Sequence, residues 1–239
     1  MLIANKKTMS LGLFLGLSFL IILALIFSPV WGKGKNGLQF SDRLFNSLAK
    51  GSAYFIPEVN AGLKEYEKQQ LVVNVKMKDA GEGAAALKVI SQSAPNTTLQ
   101  GAVLKVDTPL AKLLEAALRD ADLMYFNQGD QIGKRYGMDE KKAMESWYGV
   151  LNAASKQLQN GPHRNVAQSK IIEEVMTRAI EPAYNFYKIP AERVGKNGLL
   201  LTGLLLFYIL YTLWWGFAIY FLFDGFGLSM TKAKAKREV

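Results

Sequence analysis

The chain of 239 residues contains no cysteine and one histidine. The lack of cysteine excludes disulfides, thiolate metal sites, cysteine nucleophiles, lipoprotein acylation and haem attachment through Cys-x-x-Cys-His. A single histidine cannot supply a multi-histidine metal site or a pair of haem ligands. This residue, His163, lies in the stretch GPHR, and its neighbours are typical of a turn. We therefore expect no cofactor and no metal site.

Short catalytic motifs are also lacking. The chain has neither G-x-S-x-G nor a Ser-x-x-Lys with its supporting motifs, and KDAGEG lacks the Lys-Ser/Thr of a phosphate-binding loop. The segment 127–137, which three glycines favour as a loop, lacks the spacing of an EF-hand. The sequence therefore predicts a protein that is not an enzyme and has no catalytic residue. An enzyme without a short motif is the alternative, and a tight cluster of these residues in a cleft would favour it: Asp130, Asp139, Glu145 or Arg135.

Two long stretches contain no charged residue. LGLFLGLSFLIILALIFSPV covers residues 11–30, and LLLTGLLLFYILYTLWWGFAIYFLF covers residues 199–223. As a helix, the second would be roughly 37 Å long, and the hydrocarbon core is about 30 Å thick. The first could instead be a cleaved signal peptide, but it exceeds the usual ~7–15 residue core and no A-x-A-like site follows it. We therefore expect two membrane spans.

Basic residues near the two spans predict the orientation. The central region exceeds the ~60-residue limit of the positive-inside rule, so only the tails decide. The tails carry Lys6, Lys7, Lys232, Lys234, Lys236 and Arg237. We expect both termini in the cytoplasm and, in a bacterium, the central domain in the periplasm, with the spans in the inner membrane. The same residues are candidates for contact with anionic lipid.

The resulting fold class is mainly α, with two transmembrane helices flanking an extramembrane helical bundle. The predicted segments are a cytoplasmic tail (1–10), a transmembrane helix (11–30), a periplasmic helical domain (31–197), a second transmembrane helix (198–223) and a basic cytoplasmic tail (224–239). The net charge of +9 is not gathered in one basic block of the central domain. We therefore expect no nucleic-acid partner.

Within the central domain, three amphipathic helices follow residue 108. Thr108 with Pro109, then Asp139, then Asn165 predict their N-termini. None of these helices can bury its apolar stripe alone, so we expect them to pack antiparallel. Before them, LVVNVKMK alternates like a strand, and AVLKVD is a candidate partner. The small two-stranded element that these segments would form has one alternative, a helix that continues from Glu58.

The spans contain candidate residues for helix packing. Small residues let membrane helices approach closely, and tryptophan and tyrosine inside hydrocarbon need hydrogen-bond partners. The candidates are Gly12, Gly16, Tyr208, Tyr211, Trp214 and Trp215. Two alternatives remain open for the second span: its aromatic side chains face lipid, or the crossing ends near Trp215 and GFAIYFLFDGFG lies along the inner surface.

These features predict a non-catalytic integral membrane protein, a scaffold or accessory subunit of a cell-envelope complex. The expected partners are the bilayer, other membrane or periplasmic proteins, and a second copy of the chain. The alternative is a periplasmic ligand-binding or sensory module coupled through the second span to a separate partner. In layout, the chain resembles bacterial chemoreceptor sensory domains and polysaccharide co-polymerases, without a shared motif. A receptor needs a cytoplasmic output module, and the predicted C-terminal tail is too short for one.

Overall fold

The computed structural model of the protein describes residues 3–31, 34–161 and 164–228. The chain divides into two compact units. The first unit comprises Met1–Phe45 and Arg193–Val239, and we call it the hairpin unit. The second comprises Asn46–Glu192, and we call it the helical domain.

Helices dominate the described residues. In chain order, the elements are α1 (Lys6–Phe27), α2 (Gly37–Ser52), α3 (Ile56–Gly62), β1 (Gln70–Lys76), α4 (Ala80–Ile90), β2 (Thr98–Gln100), β3 (Val103–Pro109), α5 (Leu110–Tyr125), α6 (Gly129–Tyr136), α7 (Glu140–Asn160), α8 (Val166–Val175), α9 (Glu181–Asn185) and α10 (Gly198–Gly225). Both α1 and α10 are long and apolar enough to cross a membrane. The predicted fold class, mainly helical with a small β element between two candidate spans, is confirmed.

The small sheet is antiparallel and has the strand order β1-β3-β2. β1 and β3 are the two strands that alternation predicted, and Val73 pairs with Val106 in their register. Side chains of β1 alternate between exposed and buried positions, because successive residues of a strand point to opposite faces. The sequence reasoning missed the third strand, β2, because three residues are too short to show a period.

The predicted start of α5 needs a correction. Thr108 is the last but one residue of β3, and its buried hydroxyl donates a hydrogen bond to the Ser93 carbonyl oxygen at 3.0 Å. No side-chain cap bond is present at the N-terminus of α5, which begins directly after Pro109. The Thr-Pro pair therefore ends a strand, because sheet pairing and the bond to Ser93 occupy the threonine.

The predicted loop at 127–137 is also wrong, because Gly129–Tyr136 forms α6. Ile132 and Tyr136 are four residues apart, so they share a helical face, and both are buried in the core. Gly137 ends the helix in the left-handed conformation, with φ of 58°. Burial of the apolar pair outweighs the weak helix propensity of the glycines.

The core of the helical domain lies between the three predicted amphipathic helices, the sheet and the shorter helices. Asp139 and Asn165 cap α7 and α8 with their side chains, as predicted. The largest fully buried side chain is Trp147 of α7. A π-helical turn at Met176–Ile180 connects α8 to α9. Pro182 follows this turn in a continuous helical backbone, where its missing N–H group removes one donor.

Candidate functional site

The two candidate spans form an antiparallel helical hairpin. Backbone N–H groups of Ala4 and Asn5 donate to the Gly225 carbonyl oxygen at 2.9 and 3.1 Å. The start of α1 therefore lies at the end of α10. Asn5 also caps α1, because its side-chain oxygen accepts hydrogen bonds from the backbone of the next turn. The hairpin consequently brings the N-terminus of α1 and the C-terminus of α10 together.

Glycine permits the closest approach between α1 and α10. A Cβ atom on Gly12 would lie 2.7 Å from the Leu222 backbone nitrogen, and one on Gly225 would lie 2.8 Å from the Met9 Cα. By contrast, the nearest described atoms lie beyond 4 Å from a Cβ on Gly16. The structure thus pairs Gly12 with α10 and leaves room at Gly16. Sequence reasoning missed Gly225, which belongs to no GxxxG motif.

Aromatic side chains of α10 complete this contact. Trp214 donates its indole N–H to the Leu15 carbonyl oxygen at 3.1 Å. The ring of Phe19 stacks on Tyr211, with centroids 4.1 Å apart, and lies 4.5 Å from the Trp215 ring. Tyr208, by contrast, is 67% exposed. The structure therefore brings three of the four predicted aromatic residues to α1 and leaves Tyr208 on the outer surface.

Some predicted residues have other positions. Lys6 and Lys7 form the first turn of α1 and are exposed. His163 lies outside the described residues. The same holds for the basic residues of the C-terminal tail, which are Lys232, Lys234, Lys236 and Arg237.

We predict that Gly12→Ala weakens the hairpin, whereas Gly16→Ala leaves it intact. The new methyl group at position 12 meets the backbone of α10, and overpacking of this kind costs about 1–3 kcal/mol. Both substitutions change helix propensity alike, so their difference isolates the steric effect. Because the chain has no cysteine, spin labels can be placed on engineered cysteines at the exposed positions Phe14 and Leu210. In lipid nanodiscs, double electron–electron resonance should show a longer and broader distribution of distances between the two spin labels for Gly12→Ala, but not for Gly16→Ala. Equal distributions for both variants would contradict this assignment.

A second candidate site is a groove of about 1150 Å³ in the helical domain. The end of β1 and the start of α4 form one wall, and α7 with α9 forms the other. Asn152, Tyr148 and Gly149 of α7 face it, together with Tyr184 of α9. The lining comes from segments that lie far apart in the chain. No short motif could therefore have indicated the groove.

Most carboxylates at the groove already have hydrogen-bond or ion-pair partners within the protein. Asp79 and Asp139 cap α4 and α7, and Glu82 pairs with Lys78 at 3.2 Å. Glu145 accepts a hydrogen bond from the Tyr184 hydroxyl at 2.7 Å. This bond, together with burial, raises the pKa of Tyr184.

Exposed charges of both signs line the groove, and Asp79, Asp139 and Glu145 are the exposed acidic residues among them. Lys76, Lys142 and Lys156 line it and are exposed. Across the described ranges, none of the three forms an ion pair. Their ammonium groups can donate hydrogen bonds to a bound molecule, next to the accessible apolar atoms of Ala85 and Tyr148. The groove therefore combines free donors with apolar contact area.

The structure brings two of the four residues named for a motif-free enzyme to the groove and leaves the other two elsewhere. Asp139 and Glu145 line the groove. Asp130 instead pairs with Lys134 at 3.8 Å on α6, and Arg135 pairs with the buried Asp120. In the part of the chain that the structure describes, no group of three or more acidic or histidine side chains is placed to hold a metal ion.

Known proteins offer no guide to either site. Comparison of the chain with models of protein families finds no match, and comparisons with curated proteins and with solved structures also find none.

Proposed function

We propose that this protein is a two-pass membrane protein that serves as a non-catalytic scaffold or accessory subunit of a cell-envelope complex. The observation that carries the proposal is the close packing of α1 on α10 around Gly12 and Gly225. A cleaved signal peptide has no need of such a contact, whereas a permanent pair of spans must replace the missing hydrophobic drive by close packing. Large apolar side chains on the outer surface of the pair are suited to lipid and to partner helices.

Both termini are proposed to lie in the cytoplasm, with the helical domain in the periplasm. Two observations support this orientation. The hairpin places the ends of α1 and α10 side by side, so both tails leave from one surface. Lys6 and Lys7 occupy the first turn of α1, where the helix dipole disfavours positive charge. Their position is better explained by retention of basic residues on the cytoplasmic side.

The orientation can be tested with single cysteines, since the natural chain has none. Val72 of β1 is 63% exposed, and Val72→Cys should react with an impermeant maleimide added to intact spheroplasts. Lys6→Cys, the matched control, should react only after the membrane is opened. The reverse pattern would place the domain in the cytoplasm.

The scaffold role can be tested by purification in mild detergent, followed by mass spectrometry of the copurifying proteins. The expected result is a reproducible membrane or periplasmic protein in stoichiometric amount. Tyr208→Leu removes an exposed hydroxyl from the outer surface of α10, and we expect it to weaken retention of a partner that docks through the spans. A lone, monodisperse protein would contradict the scaffold role.

The groove supports a second function, a ligand-binding module. Its lysines and carboxylates next to apolar surface would suit a small molecule with both polar and apolar groups. Coupling of such binding through the second span is part of this proposal.

We predict that Asn152→Trp abolishes ligand retention, because a tryptophan at this position fills the groove. The matched control is Asn160→Trp, at the exposed end of the same helix. Native mass spectrometry of the full chain released from detergent should show a bound small molecule in the natural protein and in the control, and no such mass in Asn152→Trp. A bare protein in all three samples would contradict the binding module.

A further inference from the structure

After the end of α1, the chain forms a turn around Trp31 that folds back on the last residues of the helix. The backbone N–H group of Trp31 donates to the Lys35 carbonyl oxygen at 3.0 Å, and its indole N–H donates to the Leu25 carbonyl oxygen at 2.9 Å. A Cβ on Gly37, the first residue of α2, would lie 3.0 Å from the Ile26 carbonyl oxygen. The first turn of α2 therefore lies beside the last turn of α1.

Apolar side chains remain exposed around this turn. Val30 is 68% exposed, Trp31 is 44% exposed, and Leu38 and Phe45 of α2 are 55% and 52% exposed. Single exposed apolar residues are common on soluble surfaces. Here, however, four of them lie within the 18 positions that directly follow the candidate span α1.

Leu38 and Phe45 lie on one face of α2. They are seven residues apart, which is nearly two helical turns. Leu44 and Leu48, on another face of the helix, are buried. The exposed pair is therefore separate from the buried apolar positions of α2.

We propose that the N-terminal half of α2 lies in the interfacial layer of the bilayer, with Leu38 and Phe45 directed towards the acyl chains. This inference rests on the proposed membrane insertion of α1 and α10. Ile26 is the last but one residue of the apolar helix α1, so its contact with Gly37 places the start of α2 at the edge of the hydrocarbon. Leu38 and Phe45 are about 10 Å apart along the helix axis, so α2 runs along the surface and not perpendicular to it.

The neighbouring residues suit a headgroup layer. Trp31 is a residue type that prefers membrane interfaces. Lys35 and Arg43 provide positive charge on either side of Leu38, and basic residues are attracted to anionic lipid. Asp42 is exposed, four positions after Leu38 and three before Phe45, so it shares their helical face and its charge opposes the attraction. Interfacial helices with one apolar face and one polar face embed about 5–10 Å deep.

Depth measurements with single engineered cysteines test this proposal in the full chain. The fluorophore NBD is attached at position 38 or 45, and the protein is reconstituted in phosphatidylcholine–phosphatidylglycerol liposomes with or without a shallow spin-labelled lipid. We expect blue-shifted emission at both positions and at least about twofold quenching by the shallow quencher, as embedding to the depth of the acyl boundary requires. Gln39→Cys, an exposed position about 100° away from Leu38, is the matched control and should show water-like emission.

A fourth label separates failure of this inference from failure of the proposed membrane insertion. Leu206 is an exposed residue of α10, and Leu206→Cys with NBD should be quenched by a deep spin-labelled lipid. If position 206 is quenched while 38 and 45 behave like 39, the surface orientation of α2 is overturned and the membrane protein stands. If position 206 also reports water, both proposals fail.

Discussion

Replacement of Asp120 by alanine is expected to lower the free energy of unfolding of the helical domain by about 3–5 kcal/mol. Asp120 belongs to α5, and its side chain is fully buried. It accepts hydrogen bonds from the Tyr136 hydroxyl at 2.6 Å and from the Trp147 indole N–H at 2.8 Å, and it pairs with the Arg135 guanidinium. The donors come from α6 and α7, so one carboxylate joins three helices.

The physical reason for this large effect is the set of donors that alanine would leave behind. A buried donor without an acceptor loses its full hydration free energy, about 1–3 kcal/mol, and a charged group loses more. Arg135 is partly exposed, with 28% of its side chain accessible, so water can recover part of its loss. Tyr136 and Trp147 are buried and have no such recourse.

Asp122→Ala provides a matched control on the same helix. Asp122 accepts a hydrogen bond from the Tyr54 hydroxyl at 2.6 Å near the surface, and we expect its removal to cost less than about 1 kcal/mol. Chemical denaturation of the full chain in detergent measures the free energy of unfolding of both variants. Hydrogen exchange measured on α5, α6 and α7 gives their protection. Equal losses of protection would show that the buried network contributes no special stability.

Lys50→Met is predicted to have the second largest effect, a loss of about 2–4 kcal/mol, because three oxygen acceptors lose their donor. Lys50 is 1% exposed although it carries an ammonium group. This group donates to the Asn127 side-chain oxygen at 2.9 Å and to the carbonyl oxygens of Phe186 and Ile189 at 3.0 and 2.7 Å. The lysine therefore fastens α2 to the segment after α9.

The expected loss is local as well as global. The Glu192 backbone N–H donates to the Ser47 carbonyl oxygen at 3.0 Å, so the same two segments meet again one turn away. These segments connect the helical domain to the hairpin unit along the chain. Loosening at Lys50 should therefore raise hydrogen exchange in residues 186–192 before the core of the domain is affected.

Lys112→Met is the matched control, because Lys112 is exposed on α5. We expect a change within about 0.5 kcal/mol for this surface substitution. Hydrogen exchange with mass spectrometry on the full chain measures both variants. If residues 186–192 exchange no faster in Lys50→Met than in Lys112→Met, the buried lysine does not hold the connection.

Local patterns predicted much of the fold. The two apolar stretches correspond to α1 and α10. They could be predicted because a run of about 20 apolar residues is visible in the sequence without knowledge of any tertiary contact. Alternation identified β1 and β3, and the caps Asp139 and Asn165 marked the starts of α7 and α8. Such features depend only on residues a few positions apart, so the chain itself displays them.

Other features exceeded what local patterns contain. The three glycines of the segment 127–137 led to the prediction of a loop where α6 forms. The formation of α6 depends on the burial of Ile132 and Tyr136 in a core built by distant segments. Asn127 has a positive φ of 61°, and its side-chain oxygen accepts a hydrogen bond from the Lys188 backbone nitrogen at 2.7 Å. That bond joins residues 61 positions apart, so no window along the sequence contains it.

The amino-acid sequence by itself determined the helical class, the two candidate spans and the basic charge near them, because composition and short periods specify all three. Only the tertiary structure decided which glycine of the Gly12–Gly16 pair meets α10, since the two are identical in local sequence and differ in what packs against them. The tertiary structure alone also buried Lys50 and assembled the groove. A side chain's environment is set by segments that are remote in the chain, and contact between such segments exists only after folding.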